Sequence, residues 1–472
     1  MGVRRKNQTT QRSMKNMSLS RRKVAATDRI VNRKIEEQFT LKDATVYGGY
    51  NLYSDMVARS GLDRLLEETF SGWKARWARY NLPTVVRILI DGYALGMNRI
   101  WHFADLRRDA FLCAKRGLES LPDQSLLRKD LSKHFHSEEQ VDKLRKIKAR
   151  QARGVLKRLG GPLVLEFDST VETVYGCQEG AEAGYNPHKP GRLSYQVQLC
   201  RERRSGLTLW SRLQPGNCVS ATDFVRFLEQ SWQVLPRRFH RHRKGALCKV
   251  LVRMDRGYAT EEIFRWLEKQ AIGYVVKMRM TCSLWTLLLS LSGAAYRRRQ
   301  TEAGPIEVCS LCWHPPGWSR PRRIVIVRWP EETERAQTDL FDALGYTYAA
   351  FVTNLDWDEQ DVCRFYDKRA DVENHIQEAK ADLGIGHIPT QNFHVNAADL
   401  ELRLLAHNQL LLFSRNVLCE SQPRPRASTI RRKWLVIAGK LIRDGRRRIL
   451  KLAQDHPLKH LWPLYRFEVA RL

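Results

Sequence analysis

Asp168 and Asp255 each close a short apolar run, Leu163-Val164-Leu165-Glu166-Phe167-Asp168 and Val250-Leu251-Val252-Arg253-Met254-Asp255. Runs of that length and composition read as buried strands, which puts each carboxylate at a strand's C-terminal end. In open α/β sheets the crevices form outside that end, so two acids there can share one. A single acid in such a place is more often a turn or cap residue. A third carboxylate changes the weighing. On a helix expected around residues 360–385, Tyr366, Arg369, Glu373 and Lys380 fall in a stripe only about 60° wide. An i,i+4 ion pair would explain Arg369 and Glu373, but not Tyr366, nor Asn374 and Gln377 on or near the same side. Three carboxylates with cations beside them suit two-metal phosphoryl transfer. Mg2+ or Mn2+ is held by a few carboxylates and completes its shell with water and phosphate oxygens. Two such ions about 3.5–4 Å apart activate an attacking oxygen and stabilise the leaving one. In that chemistry Arg369 and Lys380 would steady phosphates, and Tyr366 would hydrogen-bond or stack.

These residues need elements to position them. From about Asn51 to Arg158 the apolar spacing is helical, as in Leu82, Val85, Val86, Leu89 and Leu95, with a helix start at Pro122-Asp123-Gln124-Ser125. That region reads either as a small DNA-contacting module or as packing helices. At Gly160-Gly161-Pro162 the character changes, and strand-like runs begin to alternate with helices. Residues 193–212 read as strands, Ala221–Val234 and Glu261–Lys269 as helices, and Gly273–Lys277 as a further strand. Such alternation indicates a layered α/β core. The stretch 300–355 is rich in Trp and Pro and holds the strand-like Ile324–Val327 and Tyr348–Val352, so it reads as a β-rich insertion. Helical pattern returns from Glu359 to about Cys419, and the last fifty residues are basic with a mixed helical pattern. The organisation expected is therefore a basic arm (1–40), a helical DNA-binding region (41–158), an α/β core (159–299 and 356–420) interrupted by the insertion, and a basic C-terminal region (421–472).

Composition narrows the class. The 472 residues carry 81 Lys+Arg against 51 Asp+Glu, a formal charge of +30, while 43% hydrophobic residues indicate a globular chain. The basic residues cluster, at Arg4-Arg5-Lys6, Arg21-Arg22-Lys23, Arg237 to Lys244, Arg297-Arg298-Arg299, Arg431-Arg432-Lys433 and Arg446-Arg447-Arg448. Clusters that neutralise phosphates release counterions, so the expected partner is nucleic acid. No apolar run reaches the ~18–20 residues of a membrane span; the longest candidate, Leu284 to Tyr296, is interrupted by Thr286, Ser290, Ser292 and Gly293. Met1 to Lys34 holds eleven Lys/Arg and one acid without an apolar core, unlike a secretory signal. Ten scattered cysteines form no disulfide framework, which favours a reducing compartment. Cys309-x2-Cys312 with His314 lacks a second ligand pair at finger spacing, so no zinc site is expected there.

The spacing Tyr366-x2-Arg369-x3-Glu373-x6-Lys380 resembles the Tyr-Arg-Glu-Lys signature of a superfamily of bacterial insertion-sequence DDE transposases. Asp168-Ser169-Thr170, Tyr175-Gly176-x-Gln178-Glu179-Gly180-Ala181, Gly184-Tyr185-Asn186-Pro187 and Ser194-Tyr195 also look like one branch of it. Arg253-Met254-Asp255-Arg256-Gly257-Tyr258 is similar to that branch's second-acid motif, with Arg256 where a small residue is expected. The resemblance spans roughly residues 40–450. It implies a ribonuclease-H-like core with a β-rich insertion between the second and third acids, flanked by helical N- and C-terminal regions. It implies Asp168, Asp255 and Glu373 as the catalytic, metal-binding triad for Mg2+ or Mn2+. Tyr366, Arg369 and Lys380 would contact DNA phosphates near the cleaved end. The activity implied is cleavage at terminal inverted repeats and joining of 3′ ends to target double-stranded DNA, by a homodimer in the bacterial cytoplasm at the nucleoid. In some members aromatics of the insertion hold a flipped base; Trp313, Trp318 and Trp329 are available for this. A non-catalytic repressor, and a structure-specific nuclease that cuts without joining, are the rival readings.

Overall fold

In the computed structural model, residues 37–187, 189–240, 248–301, 304–330, 345–418 and 424–472 are described. Most of the expected basic arm and the cluster Arg241–Lys244 lie outside them. After a two-residue strand, β1 (Ala44–Thr45), come six helices: α1 (Tyr50–Arg59), α2 (Leu62–Phe70), α3 (Leu82–Leu95), α4 (Ala110–Arg116), α5 (Gln124–His134) and α6 (Glu138–Leu156). Their starts follow local chemistry. Asn81 Oδ1 accepts the Thr84 amide at 2.9 Å ahead of α3, and Asp123 caps α5 where the helix start was expected.

The α/β part opens with β2 (Leu163–Thr173), β3 (Glu182–Ala183), β4 (Leu193–Glu202) and β5 (Thr208–Pro215). Then follow α7 (Phe224–Gln233), β6 (Val250–Met254), α8 (Glu261–Lys269), β7 (Gly273–Lys277) and α9 (Cys282–Ser290). Four strands come next, β8 (Arg297–Thr301), which begins ahead of the insertion expected over 300–355, β9 (Gly304–Trp313), β10 (Arg322–Pro330) and β11 (Tyr346–Thr353). After them come α10 (Glu359–Asp367), α11 (Ala370–Leu383), α12 (Phe393–Phe413), α13 (Ala427–Ile430), β12 (Gly439–Asp444), β13 (Arg447–Leu452) and α14 (Trp462–Arg471).

Ten strands form one mixed sheet in the order β3-β4-β2-β6-β7-β11-β10-β9-β8, with β5 on the free side of β4's pairing. β2 and β4 are antiparallel, β2, β6 and β7 run parallel, and β11 returns antiparallel on β7 with Val352 opposite Val276. The stretch expected as an insertion therefore continues the same sheet instead of standing beside it. Cys309 and Cys312, three apart on β9, point to opposite faces, Cys309 buried and Cys312 exposed, so they do not converge. Trp313 and Trp318 stack edge-on at 5.9 Å, and Trp318 packs on Phe264 of α8. Trp329 is the more exposed of the three.

Alternation along the strands gives the sheet two apolar faces. Leu163, Leu165, Phe167, Val250, Val252 and Met254 join α7 and α8 in the main core. Val164, Leu251, Val275 and Phe351 form a smaller cluster under Val362 and Cys363 of α10. Helix α12 is buried along its length and unites the halves. Lys148 of α6 reaches Glu401 at 2.6 Å, Asn408 exchanges two hydrogen bonds with Thr208 of β5, and Arg403 donates to Leu383 O at the end of α11. Ala44–Leu472 form one compact unit.

Three local expectations give way. β2 does not stop at Asp168 but runs five residues further, because β4 keeps pairing with it to Thr173. The single helix expected over 360–385 is two, α10 and α11, broken at Lys368 and Arg369. The basic C-terminal region is not helical throughout: β12 and β13 form a hairpin that also pairs with β1. Its two-residue loop opens with Gly445 at φ 56, a conformation that a type II′ turn demands and glycine supplies without strain.

Candidate active site

The pairing of β2 with β6 decides how the first two acids meet. Leu163 stands opposite Val250 and Glu166 opposite Arg253, an offset that brings Asp168 abreast of Asp255. β6 ends at Met254, so the two carboxylates lie where the parallel pairing stops and the backbone opens. The face they share also carries Glu166 and Arg253, each two residues earlier.

Those two residues form a buried charge network under the site. Glu166 accepts from Arg201 Nε at 2.6 Å and from Arg253 Nε at 2.8 Å. Arg253, 0% exposed, spends its remaining donors on the carbonyls of Phe365 and Lys368, both at 2.6 Å. Captured by a guanidinium, these carbonyls are not left to continue the helix, which explains the break between α10 and α11. The break in turn aims the side chains around it. Tyr366, its ring 4.7 Å from that of Phe351 on β11, donates its hydroxyl to Asp255 Oδ1 at 3.3 Å. Arg369 lies 3.0 Å from Asp168 Oδ1 and 3.7 Å from Glu373 Oε1, and so bridges the first and third acids.

From there α11 runs along the outward continuation of β2. Glu373 and Lys380 are seven residues apart, about 10.5 Å of helix, and Asp168 and Glu172 are four apart, about 13 Å of strand. The lengths nearly match. Lys380 accordingly reaches Glu172 Oε1 at 3.0 Å and Val171 O at 3.1 Å, while Glu373 extends into solvent, its side chain 70% exposed.

Charge at the site is unbalanced in an informative way. Burial pushes the Asp168 carboxyl above its ordinary range; Arg369 opposes the rise, and Asp255 and Glu373 add to it. Burial and the Asp255 carboxylate likewise hold the Tyr366 phenol protonated, so it acts as a donor. Tyr258, behind Asp168 against Phe224, is shifted the same way by burial and by Asp168. Ser169, whose amide donates to Asp168 Oδ1 at 2.9 Å, meets Ser220 through its hydroxyl at 3.0 Å.

All six residues singled out from the sequence thus come to one end of the sheet. Glu166, Arg253 and Arg201 were missed, although a signal was present. Both apolar runs place a charge two residues before the acid, and the charges have opposite sign. A lone charge inside a buried strand demands a partner.

The family whose description is "Transposase DDE domain group 1" matches residues 27–471. The chain belongs to that family. Membership makes a DNA transposase activity, with its nuclease chemistry, the family expectation for this chain, and the family normally uses a divalent metal. The donors suit one in kind: hard carboxylate oxygens stand at the ends of two neighbouring strands and on the helix beside them, and Asp255 and Glu373 repel the Asp168 carboxylate in a way that a cation would relieve. Among solved structures, the chain is similar to a piggyBac transposase synaptic complex with hairpin DNA, at 11% identity and a TM-score of 0.45 over 83% of this chain and 80% of that one. It is also similar to the Mos1 transposase paired-end complex with the left transposon end, at 12% identity and a TM-score of 0.17 over 43% and 60%. No curated protein matches by sequence. Among the described residues, no helix is long and apolar enough to cross a membrane.

Proposed function

We propose that this transposase-family chain cleaves DNA at the terminal inverted repeats of a bacterial insertion sequence and joins the freed 3′ ends to target DNA. The observation that carries the reading is the parallel register that brings Asp168 abreast of Asp255, with Arg369 linking Asp168 to Glu373. In this reading the core is ribonuclease-H-like: three antiparallel strands, β5, β4 and β2, are followed outward by the parallel β6 and β7, and the insertion extends the sheet from there. Asp168, Asp255 and Glu373 would hold Mg2+ or Mn2+, which would supply activation of the attacking oxygen and stabilisation of the leaving one. With a cation held there, Arg369 would be free to meet DNA phosphates, and Lys380 would steady the strand along β2. Tyr366 keeps its proton and orients Asp255. The protein acts as a homodimer on paired ends, at the bacterial nucleoid.

The test is cleavage of a labelled duplex carrying the flanking element's end, in Mg2+ or in EDTA, by wild type and Glu373→Ala. Metal-dependent nicking at the repeat boundary, lost in the variant while DNA binding persists, is the expected result. Equal cutting by both proteins would refute the third acid, and cut but never joined product would leave only a nuclease.

A further inference from the structure

The helix that carries Glu373 has a second polar face. At about 100° per residue, His375 and Glu378 stand about 200° and 140° round α11 from Glu373, on the opposite side from the acid and Lys380. An outward face of this kind would be solvated, but this one is packed against α12, where His407 meets it. His375 is 5% exposed, Glu378 3% and His407 0%. The two imidazole rings stand 4.6 Å apart, and Glu378 Oε1 lies 3.4 Å from His407 Nε2. One ligand atom from each of the three lies within 4.8 Å of the others.

Only one polar contact joins the three, between His407 Nε2 and Glu378 Oε1 at 3.4 Å, and with Arg424 it holds the Glu378 carboxyl below its ordinary range against the effect of burial. His375 Nε2 and both ring nitrogens of His407 are buried without a hydrogen-bond partner. Buried polar atoms are nearly always satisfied, and orphans in a cluster point to an absent partner. Glu378, by contrast, is oriented with care: Oε1 accepts the Ala427 amide at 2.8 Å and Arg424 Nη1 at 3.2 Å, and Oε2 accepts from Arg424 Nη2. Ligating carboxylates are commonly held in this way by outer hydrogen bonds.

We propose that His375, Glu378 and His407 bind one divalent cation of the zinc type, which clips α11 to α12 on the side away from the catalytic acids. Two imidazoles and a carboxylate are a zinc donor set, with water in the fourth position. Donors about 2.0–2.2 Å from a tetrahedral ion stand roughly 3.4 Å apart, the separation already present between Glu378 and His407. The third nitrogen closes on them by rotation of the His375 ring. The chemistry differs from that of the carboxylate site, where oxygen donors select Mg2+ or Mn2+. The clip does no chemistry itself; it sets the rotation of α11 about its axis, and therefore where Glu373 points.

The experiment uses the full chain without a polyhistidine tag, loaded with Zn2+, then exhaustively dialysed in excess Mg2+ and assayed for metal by mass spectrometry. About one zinc per chain is expected, both in wild type and in the Asp168→Ala/Asp255→Ala double variant, which removes the carboxylate site. The zinc should be lost in His375→Gln/His407→Gln. A folded wild type that retains none, or a histidine double variant that retains as much as wild type, overturns the proposal. Should the histidine variant fail to fold, Co2+ in the Asp168→Ala/Asp255→Ala protein decides. Tetrahedral d–d bands without a thiolate charge-transfer band support the clip; a thiolate band, or no tetrahedral spectrum, refutes it. None of these readouts depends on DNA cleavage, so failure of the clip and failure of the transposase reading are separable.

Discussion

Asp168 works against the stability of the fold that holds it. Its carboxyl is raised above the usual range by burial, so the ionised form costs stability wherever the pH lies above its folded-state value. That cost disappears as the pH falls below the unfolded value of about 3.9. Asp168→Asn removes that cost but leaves Arg369 with Glu373 alone, so the expectation is in the pH dependence: the metal-free wild type should gain stability relative to the variant as the pH falls from 7 toward 4. The same variant should lose about a thousandfold or more in cleavage, several kcal/mol of charge stabilisation having gone with it. Thermal melts across pH beside a cleavage assay check both, and a wild type that loses stability relative to the variant between pH 7 and pH 4 would contradict the sign. At this scale much was legible. Residue types and spacing drew out the acids and Tyr366, Arg369 and Lys380, and the fold brings these six to one end of the sheet. What spacing could not reveal is that Arg369 and Lys380 are already paired with acids, since the carboxylates they meet come from β2, about two hundred residues earlier in the chain.

Among the elements, the junction of α10 and α11 depends most on one distant residue. Arg253 supplies the donors that end α10, and removing one partner of a buried ion pair costs about 3–5 kcal/mol. Arg253→Met should lower the melting temperature sharply. Arg253→Lys keeps the charge but not the fork, so it should fold better and still cleave poorly, because a single ammonium cannot hold both carbonyls and Glu166 together. Near-normal DNA affinity with depressed turnover in Arg253→Lys is the expected split; full turnover would show that the break forms without the guanidinium. Periodicity alone drew one helix through this point, since a 3.6-residue pattern carries no record of a side chain arriving from another strand. The same limit explains β2. Its apolar run ends at Asp168, yet the strand goes on because pairing with β4 holds it. By contrast Glu261–Lys269 and Gly273–Lys277 were readable to the residue, their patterning and their flanks agreeing.

Taken whole, the molecule sorts its basic clusters into structural and exposed ones. Arg297 and Arg299 are paired with Glu359 and Asp358, and Arg238 donates to carbonyls at the end of α6. The β12–β13 hairpin differs, with Lys440, Arg443, Arg446, Arg447, Arg448 and Lys451 all exposed. Neutralising Arg447, Arg448 and Lys451 to Gln should weaken DNA binding at low salt. It should also flatten the slope of log affinity against log salt by about 0.9 for each phosphate that is no longer neutralised, up to roughly three phosphates. Fluorescence anisotropy over a salt series measures this, and an unchanged slope would place the DNA elsewhere. Net charge announced such a partner from the sequence, but only the fold tells which cations are already engaged.

The buried helix α12 has a consequence for the order in which this protein comes into being. Residues 393–413 fill the gap between the early helices and the sheet, so neither half has a finished core until that stretch has left the ribosome. Glu373, too, is synthesised more than a hundred residues after Asp255. A nascent chain therefore carries all three acids before it carries the exposed basic hairpin of β12 and β13, and its core is completed only when α12 is in place. A message cut short before residue 393 would leave the early helices and the sheet without the helix they share, so its product is expected to stay unfolded and to be degraded.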